Sequence, residues 1–216
     1  PGPTWSSGDV WIASTNDAEG EAQRANDNLF QKGTSQDFLT LLHEIGHALG
    51  LAHPFEDFLL EGANPTADPP VAAPLDHQKY TVMSYTVDDD VWFNYDSGSG
   101  YKFAISSTPM VLDIQSIQWL YGAQETNEDD TPYVYNPDMP FAEAIWDSDG
   151  IDEIDLSSFG TNNTVSLVPG TFSTIVGLET NGDEWTMQHN LGIAYGTVIE
   201  NVKGGSGDDN ITGNDA

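Results

Sequence analysis

The chain has no cysteine, so no disulfide staples it, and any metal must be held by histidine and carboxylate side chains. Basic residues are nearly as scarce. Five Lys and Arg stand against 35 Asp and Glu, a formal net charge of -30 at pH 7. Such a balance argues against nucleic acid and anionic membranes as partners. It favours divalent cations, or a strongly solvated surface suited to salt. No apolar run approaches the roughly 20 residues of a membrane span, and no signal-peptide pattern opens the chain. The sequence starts at Pro1 without methionine and stops at Ala216 inside a repeat-like stretch, so it reads as a processed or partial chain. Its 216 residues suffice for one sizeable core or two small domains.

What is present falls into two patterns. GDVWIAS, residues 8–14, alternates Val10 and Ile12 and predicts a strand. Thr34 or Ser35 is placed to cap a helix starting near Gln36, with Asp37 in its first turn. Phe38, Leu41, Leu42, Ile45 and Leu49 recur at helical spacing and predict its buried face. Gly50 is the natural stop. Residues 55–79 make a long acidic loop with four prolines, Pro65, Pro69, Pro70 and Pro74; loops this long are usually functional or mobile. A second helix is expected in TPMVLDIQSIQWLYG, capped by Thr108, starting at Pro109 and stopping at Gly122, with Met110, Ile114, Ile117 and Tyr121 as its stripe. Beyond about Tyr133 come short alternating runs broken by Gly, Asn and Asp, such as TVSLVPG, which predict β structure. The expected class is α+β, with one domain over residues 1–125 and an all-β domain over 126–216.

Three of the five histidines lie within LLHEIGHALGLAHP. His43 and His47 are four apart on the expected helix and project from one face, with Glu44 beside them. Two imidazoles so placed can share one zinc. HExxH alone is a weak signal, but HExxHxxGxxH also specifies Gly50 and His53. Helical continuation would carry residue 53 to another face. A left-handed turn at Gly50 reverses the chain and returns His53 to the metal. The result is three neutral nitrogen ligands and an open position, the arrangement of catalytic zinc.

HEIGHALGLAHP resembles the zinc motif of the metzincin metalloendopeptidases. In that group a methionine turn lies under the metal, and TVMSY supplies Met83, thirty positions after His53. Pro54 after the third histidine is shared with serralysins and matrixins. Tyr85, two residues after the methionine, is shared with serralysins and astacins. Only the serralysins share both. APLDHQKYTVMSY, DIQSIQWLYGA and IENVKGGSGDDNITGN are serralysin-like as well, so the resemblance extends over nearly the whole chain. It implies a metzincin-type catalytic domain with edge strand, active-site helix, methionine turn and C-terminal helix, followed by the start of a calcium-binding parallel β-roll. It implies that His43, His47 and His53 bind zinc and that Glu44 is the general base. Tyr85 would be a further zinc ligand at rest that swings to the developing oxyanion, with Met83 as the apolar floor. Residues 8–14 would be the edge strand to which a substrate peptide adds. Set against the family pattern, the early catalytic strands are missing and the tail holds one repeat. His77 and His189 belong to no such motif, and a plain surface or loop role is expected for both.

GGSGDD, with Asn210 and Ile211 behind it, resembles one GGxGxDxU repeat, the calcium unit of RTX rolls. WDSDGID resembles the serralysin calcium loop. The resemblance points to Asp147, Asp149, Gly150 and Asp152, with Asn127, Asp129 and Thr131 in the partner loop. It also points to Glu200, Gly205, Gly207 and Asp209, and to Val198 through its carbonyl. Oxygen-only ligands suit calcium. The expected protein is a secreted, extracellular zinc- and calcium-dependent endopeptidase. The alternatives are a non-catalytic calcium-binding β-roll fragment and a matrixin-like protease. Protein or peptide substrates are the expected partners, with a proteinaceous inhibitor or the missing N-terminal segment as further candidates.

Overall fold

The computed structural model describes residues 36–55, 73–87, 95–96, 101–102, 104–177 and 188–216. The strand expected at 8–14, the caps Thr34 and Ser35, and most of the proline-rich loop lie outside these residues.

Helix α1 spans Gln36–Ala48. Its buried face matches the expected one only in part, with Phe38, Leu41 and Leu42 half-buried. Leu39, His43 and Gly46 are buried and Leu42 is half-buried, an i, i+3, i+4, i+7 set, whereas Ile45 and Leu49 are each 39% exposed. The phase was misjudged because two inward positions are a histidine and a glycine, which a count of apolar residues leaves out. Gly50 ends the helix as expected, with φ +96°. The Gly50 N–H donates to His47 O and the Leu51 N–H to Gly46 O, both at 2.9 Å. That pair of bonds is the Schellman closure, and it satisfies two carbonyls that the helix end would leave open.

Helix α2, Val111–Tyr121, begins two residues later than expected. Met110 is the N-cap, and its N–H donates to the Asp113 carboxylate at 2.8 Å. Thr108 is not the cap. Its hydroxyl accepts the Ala144 N–H at 2.8 Å and so ties this segment to a strand. Gly122 stops the helix with φ +83°. Of the expected stripe, Met110 is buried, Ile114 and Ile117 are half-buried, and Tyr121 is exposed.

The remaining strands are two or three residues long. After a hairpin of β1 (Tyr95–Asp96) with β2 (Tyr101–Lys102) come β3 (Pro132–Val134), β4 (Glu143–Ile145), β5 (Glu153–Asp155), β6 (Thr164–Ser166), β7 (Phe172–Ser173), β8 (Leu191–Ile193), β9 (Asn201–Lys203) and β10 (Asn210–Thr212). Among these, β3-β5-β9 form a parallel sheet, β6 pairs β10 in parallel, and β4 pairs β8 in parallel with β7 antiparallel on its other side. Central residues such as Ile154 and Val165 are fully buried while their strand neighbours are not. Each such burial contributes about 1.5–3 kcal/mol. The molecule is therefore mixed α and β, with few helices among the described residues.

A second apolar cluster joins the two patterns. Leu39 of α1, Val82, Met83, Met110 and Val111 pack together with Ala144 of β4, and Phe172 of β7 lies against them. Ser107 N–H also donates to Ala142 O at 2.8 Å. The helical segment that carries the histidines is thus seated on the β half.

Candidate metal centre

α1 delivers His43 and His47 one turn apart, and the reversal at Gly50 returns His53 to them. His53 Nε2 lies 3.1 Å from both His43 Nε2 and His47 Nε2. The other ring nitrogens of the helical pair are engaged by backbone. His43 Nδ1–H donates to Val82 O at 2.8 Å and His47 Nδ1–H to Leu51 O at 3.0 Å. Those bonds select the tautomer whose Nε2 carries a lone pair, and aim it at the cluster centre. Lone pairs facing one another at this distance repel unless a cation lies between them. Tetrahedral zinc, with Zn–N of 2.0–2.1 Å, sets its nitrogens roughly 3.3 Å apart. The three side chains therefore fit zinc. Among the described residues they are the only group of three His, Cys, Asp or Glu with ligand atoms this close. Burial lowers the His43 pKa and so favours its neutral form; the Val82 bond acts against this, and the proximity of the other two imidazoles acts with it.

Tyr85 completes the cluster. Its hydroxyl is 2.9 Å from His53 Nε2, and its ring stacks on His43 at 5.4 Å. Met83, 1% exposed, lies beneath. A Cβ on Gly46 would stand 2.5 Å from Met83 Sδ, so only glycine at 46 lets the methionine fill this space. Glu44 is exposed on α1, close enough to raise the His43 proton affinity. Phe55 stacks on His53 at 4.9 Å and 10° and touches the Tyr85 ring at 5.3 Å. The structure brings together His43, His47, His53, Tyr85 and Met83 from the expected set. Reading the sequence missed Gly46, Phe55 and Asp113. Gly46 was visible as a glycine inside a helix, and Phe55 as an aromatic next to the motif; Asp113 had no local signal.

Asp113 is 2% exposed. It accepts the Thr81 hydroxyl at 2.5 Å and the Val82 and Met110 N–H groups at 2.8 Å. Burial raises its pKa from 3.8 to about 6 against these three bonds. The Thr81 hydroxyl also accepts the Met83 N–H at 3.0 Å.

The acidic loops of the β half lie together in part. Asp147 and Asp152 are each 1% exposed. Asp152 Oδ1 accepts the Thr131 N–H, and Glu200 accepts the Asp152 N–H at 2.7 Å. Burial raises the Asp152 pKa, the Thr131 bond lowers it, and the charges of Asp147 and Glu200 raise it further. Gly150, at φ +110°, lets the Asp129 carbonyl and Asp152 Oδ1 come within about 3 Å of where a Cβ would sit. Thr131 donates its hydroxyl to Asp129 O. Asn127, in left-handed conformation, donates to the Tyr133 hydroxyl, which donates to Asp147 Oδ2. Asp149 is exposed and accepts the Gly150 N–H. Asp209 is engaged differently: Oδ1 accepts both Asn163 N–H and Nδ2, and Oδ2 accepts Gly205 N–H. Gly205 and Gly207 are pressed against Phe159 O and Thr161 O, where a Cβ would collide. Val198 is exposed.

His77 has the loop position expected of it but is buried. It sits in the loop before Met83, its Nδ1 accepting the Lys79 N–H at 3.0 Å. His189 is half-buried with φ +57° and packs edge-on to Phe172.

The chain is similar in sequence to proteins named as serralysins and metalloproteases. A family profile described as Peptidase M10 serralysin C terminal matches residues 111–216. The serralysin of Photorhabdus luminescens is 36% identical over 190 residues, covering 82% of this chain and 36% of that protein. The serralysin of Proteus mirabilis is 35% identical over 191 residues, 82% of this chain and 35% of that protein. Metalloprotease AprA of Pseudomonas entomophila is 38% identical over 188 residues, 81% of this chain and 36% of that protein. The class is thus a metallopeptidase family. More narrowly, the chain belongs to the serralysin family. It spans about a third of the length of these relatives. No helix among the described residues is long and apolar enough to cross a membrane.

Proposed function

We propose that this chain holds the catalytic zinc and part of the calcium-stabilised β-roll of a secreted endopeptidase, which hydrolyses internal peptide bonds of proteins. The observation that carries the reading is the convergence of His43 and His47 Nε2 on His53 Nε2, each at 3.1 Å, with Tyr85 oxygen 2.9 Å from His53 Nε2. His43, His47 and His53 would hold the metal. When bound, zinc acidifies a water and polarises the scissile carbonyl. Glu44 takes the proton of the attacking water and returns it to the leaving amine. The Tyr85 hydroxyl, on an exposed side chain, would move from His53 to donate to the oxyanion of the tetrahedral intermediate. Met83 excludes water from beneath the ligands.

In the β half, Asp147, Asp152, Glu200 and the Asp129 carbonyl offer hard oxygen donors at adjoining turns, and calcium is the cation they suit. Asp209 fits less well. Three of the roughly four lone-pair positions of a carboxylate are already taken there by N–H donors. Its present work is to strap the turn at 204–209 to Asn163.

Hydrolysis of an internally quenched peptide, abolished by a zinc chelator and restored by zinc, tests the catalytic reading. Calcium binding without any zinc-dependent hydrolysis would instead favour a non-catalytic β-roll fragment. Raising calcium to millimolar at constant ionic strength should lift the melting temperature by several degrees, and magnesium should do much less.

A further inference from the structure

We infer that Asp113, seventy positions after His43 in the sequence, is a positioning residue for the first zinc ligand, acting through the backbone of Val82. The inference rests on the zinc reading above. The linkage is short. Asp113 Oδ2 accepts the Val82 N–H at 2.8 Å, and Val82 O accepts His43 Nδ1–H at 2.8 Å. The N–H and C=O of Val82 flank one Cα, so holding one directs the other. A second arm runs from Asp113 Oδ1 through the Thr81 hydroxyl to the Met83 N–H, and so to the floor of the site. A third bond, from Met110 N–H, anchors the carboxylate to the start of α2. Leu112 N–H to Tyr80 O, at 2.9 Å, keeps the two segments from sliding.

A role in helix capping alone explains this poorly. An exposed serine or threonine would cap α2 without burying a carboxylate. Here the carboxylate is 2% exposed beside Val82, Met110 and Val111, all buried. Burying an ionisable group is unfavourable unless it is hydrogen-bonded, and two of its three partners belong to the turn that carries Met83 and orients His43. Groups that orient a metal-bound histidine typically matter 10–100-fold for metal affinity or activity.

The test compares zinc affinity, by competition with a chromogenic chelator, and the NMR signal of the His43 Nδ1 proton across variants of the full chain. Wild type must bind zinc first; if it does not, the zinc reading fails before this inference is reached. Asp113→Ala should weaken zinc by roughly 10–100-fold and lose the His43 Nδ1 signal. Asp113→Asn should restore both to within about threefold. Its carbonyl oxygen can accept Val82 and Met110, and its amide can donate to the free lone pair of Thr81. A folded Asp113→Ala protein with wild-type zinc affinity and an intact His43 Nδ1 signal overturns the inference. Equal losses in Asp113→Asn and Asp113→Ala also overturn it, since the same hydrogen-bond geometry is available to asparagine. Should Asp113→Ala not fold, Asp113→Leu decides. It keeps the buried volume but offers no acceptor to the Val82 N–H, and unchanged zinc affinity and His43 signal would refute the linkage.

Discussion

The two halves of the molecule prepare their polar side chains in opposite ways. In the helical half, backbone carbonyls take the outer N–H of His43 and His47, leaving lone pairs directed at one point. In the β half, backbone N–H groups are given to the carboxylates of Asp152 and Asp209 and consume acceptor capacity. The first arrangement is poised for a cation even when none is bound. In the second, Asp209 is largely satisfied by the protein itself, so a cation at that turn must compete with bonds already made. The difference teaches that a spacing motif for metal has to be judged by what the second atom of each side chain is doing.

The sharpest way to break this comparison is to remove a group that acts only if the helical half holds a working metal. Glu44→Ala should retain zinc and lose roughly a hundredfold to ten-thousandfold in kcat, because the proton carrier is gone and no ligand is. Steady-state kinetics with zinc content measured on the same sample checks this, and unchanged turnover would remove Glu44 from the chemistry. Tyr85→Phe should lower kcat by roughly tenfold to a thousandfold with a smaller change in zinc affinity, as expected for the loss of one oxyanion donor. A loss confined to stability would make Tyr85 a packing residue.

The next effects are on stability. Asp113 has a folded pKa of about 6 against 3.8 unfolded. Between those values the folded chain binds more protons, so stability is highest below about pH 4 and is lost as pH rises through about 6. The full shift is on the order of 3 kcal/mol. Chemical denaturation in the presence of a chelator should show wild type losing stability relative to Asp113→Asn across that window. Parallel curves would mean the carboxylate titrates normally. Gly46→Ala should be destabilising by about 1–3 kcal/mol despite the better helix propensity of alanine, since its methyl meets Met83 Sδ. Pairing it with Met83→Ala, which vacates that space, should reduce the penalty; a purely additive pair would place the strain elsewhere.

Much of the metal centre could be read from the chain because it is built from local spacing. His43, His47, Gly50 and His53 sit within eleven residues, and one helix plus one left-handed glycine determines how they meet. Gly46 and Met83 were visible separately, but their contact spans 37 residues and depends on packing. Asp113 was hidden for the same reason, its Thr81 and Val82 partners being 32 and 31 residues away. The register of α1 was misread because its inward face includes a histidine and a glycine. The start of α2 was misread because Pro109 and Thr108 matched a capping pattern, while Thr108 was engaged with Ala144. In the β half, strands of two or three residues carry too little alternation to reveal which of them pair.

The most direct measurement is zinc content by elemental analysis after dialysis, for wild type and His53→Ala. His53 is the only one of the three histidines that lies beyond α1, so it tests whether the reversal at Gly50 closes the site. About one zinc per chain is expected in wild type and loss of tight binding in the variant, with both proteins folded. Zinc absent from folded wild type, or retained undiminished without His53, would contradict this.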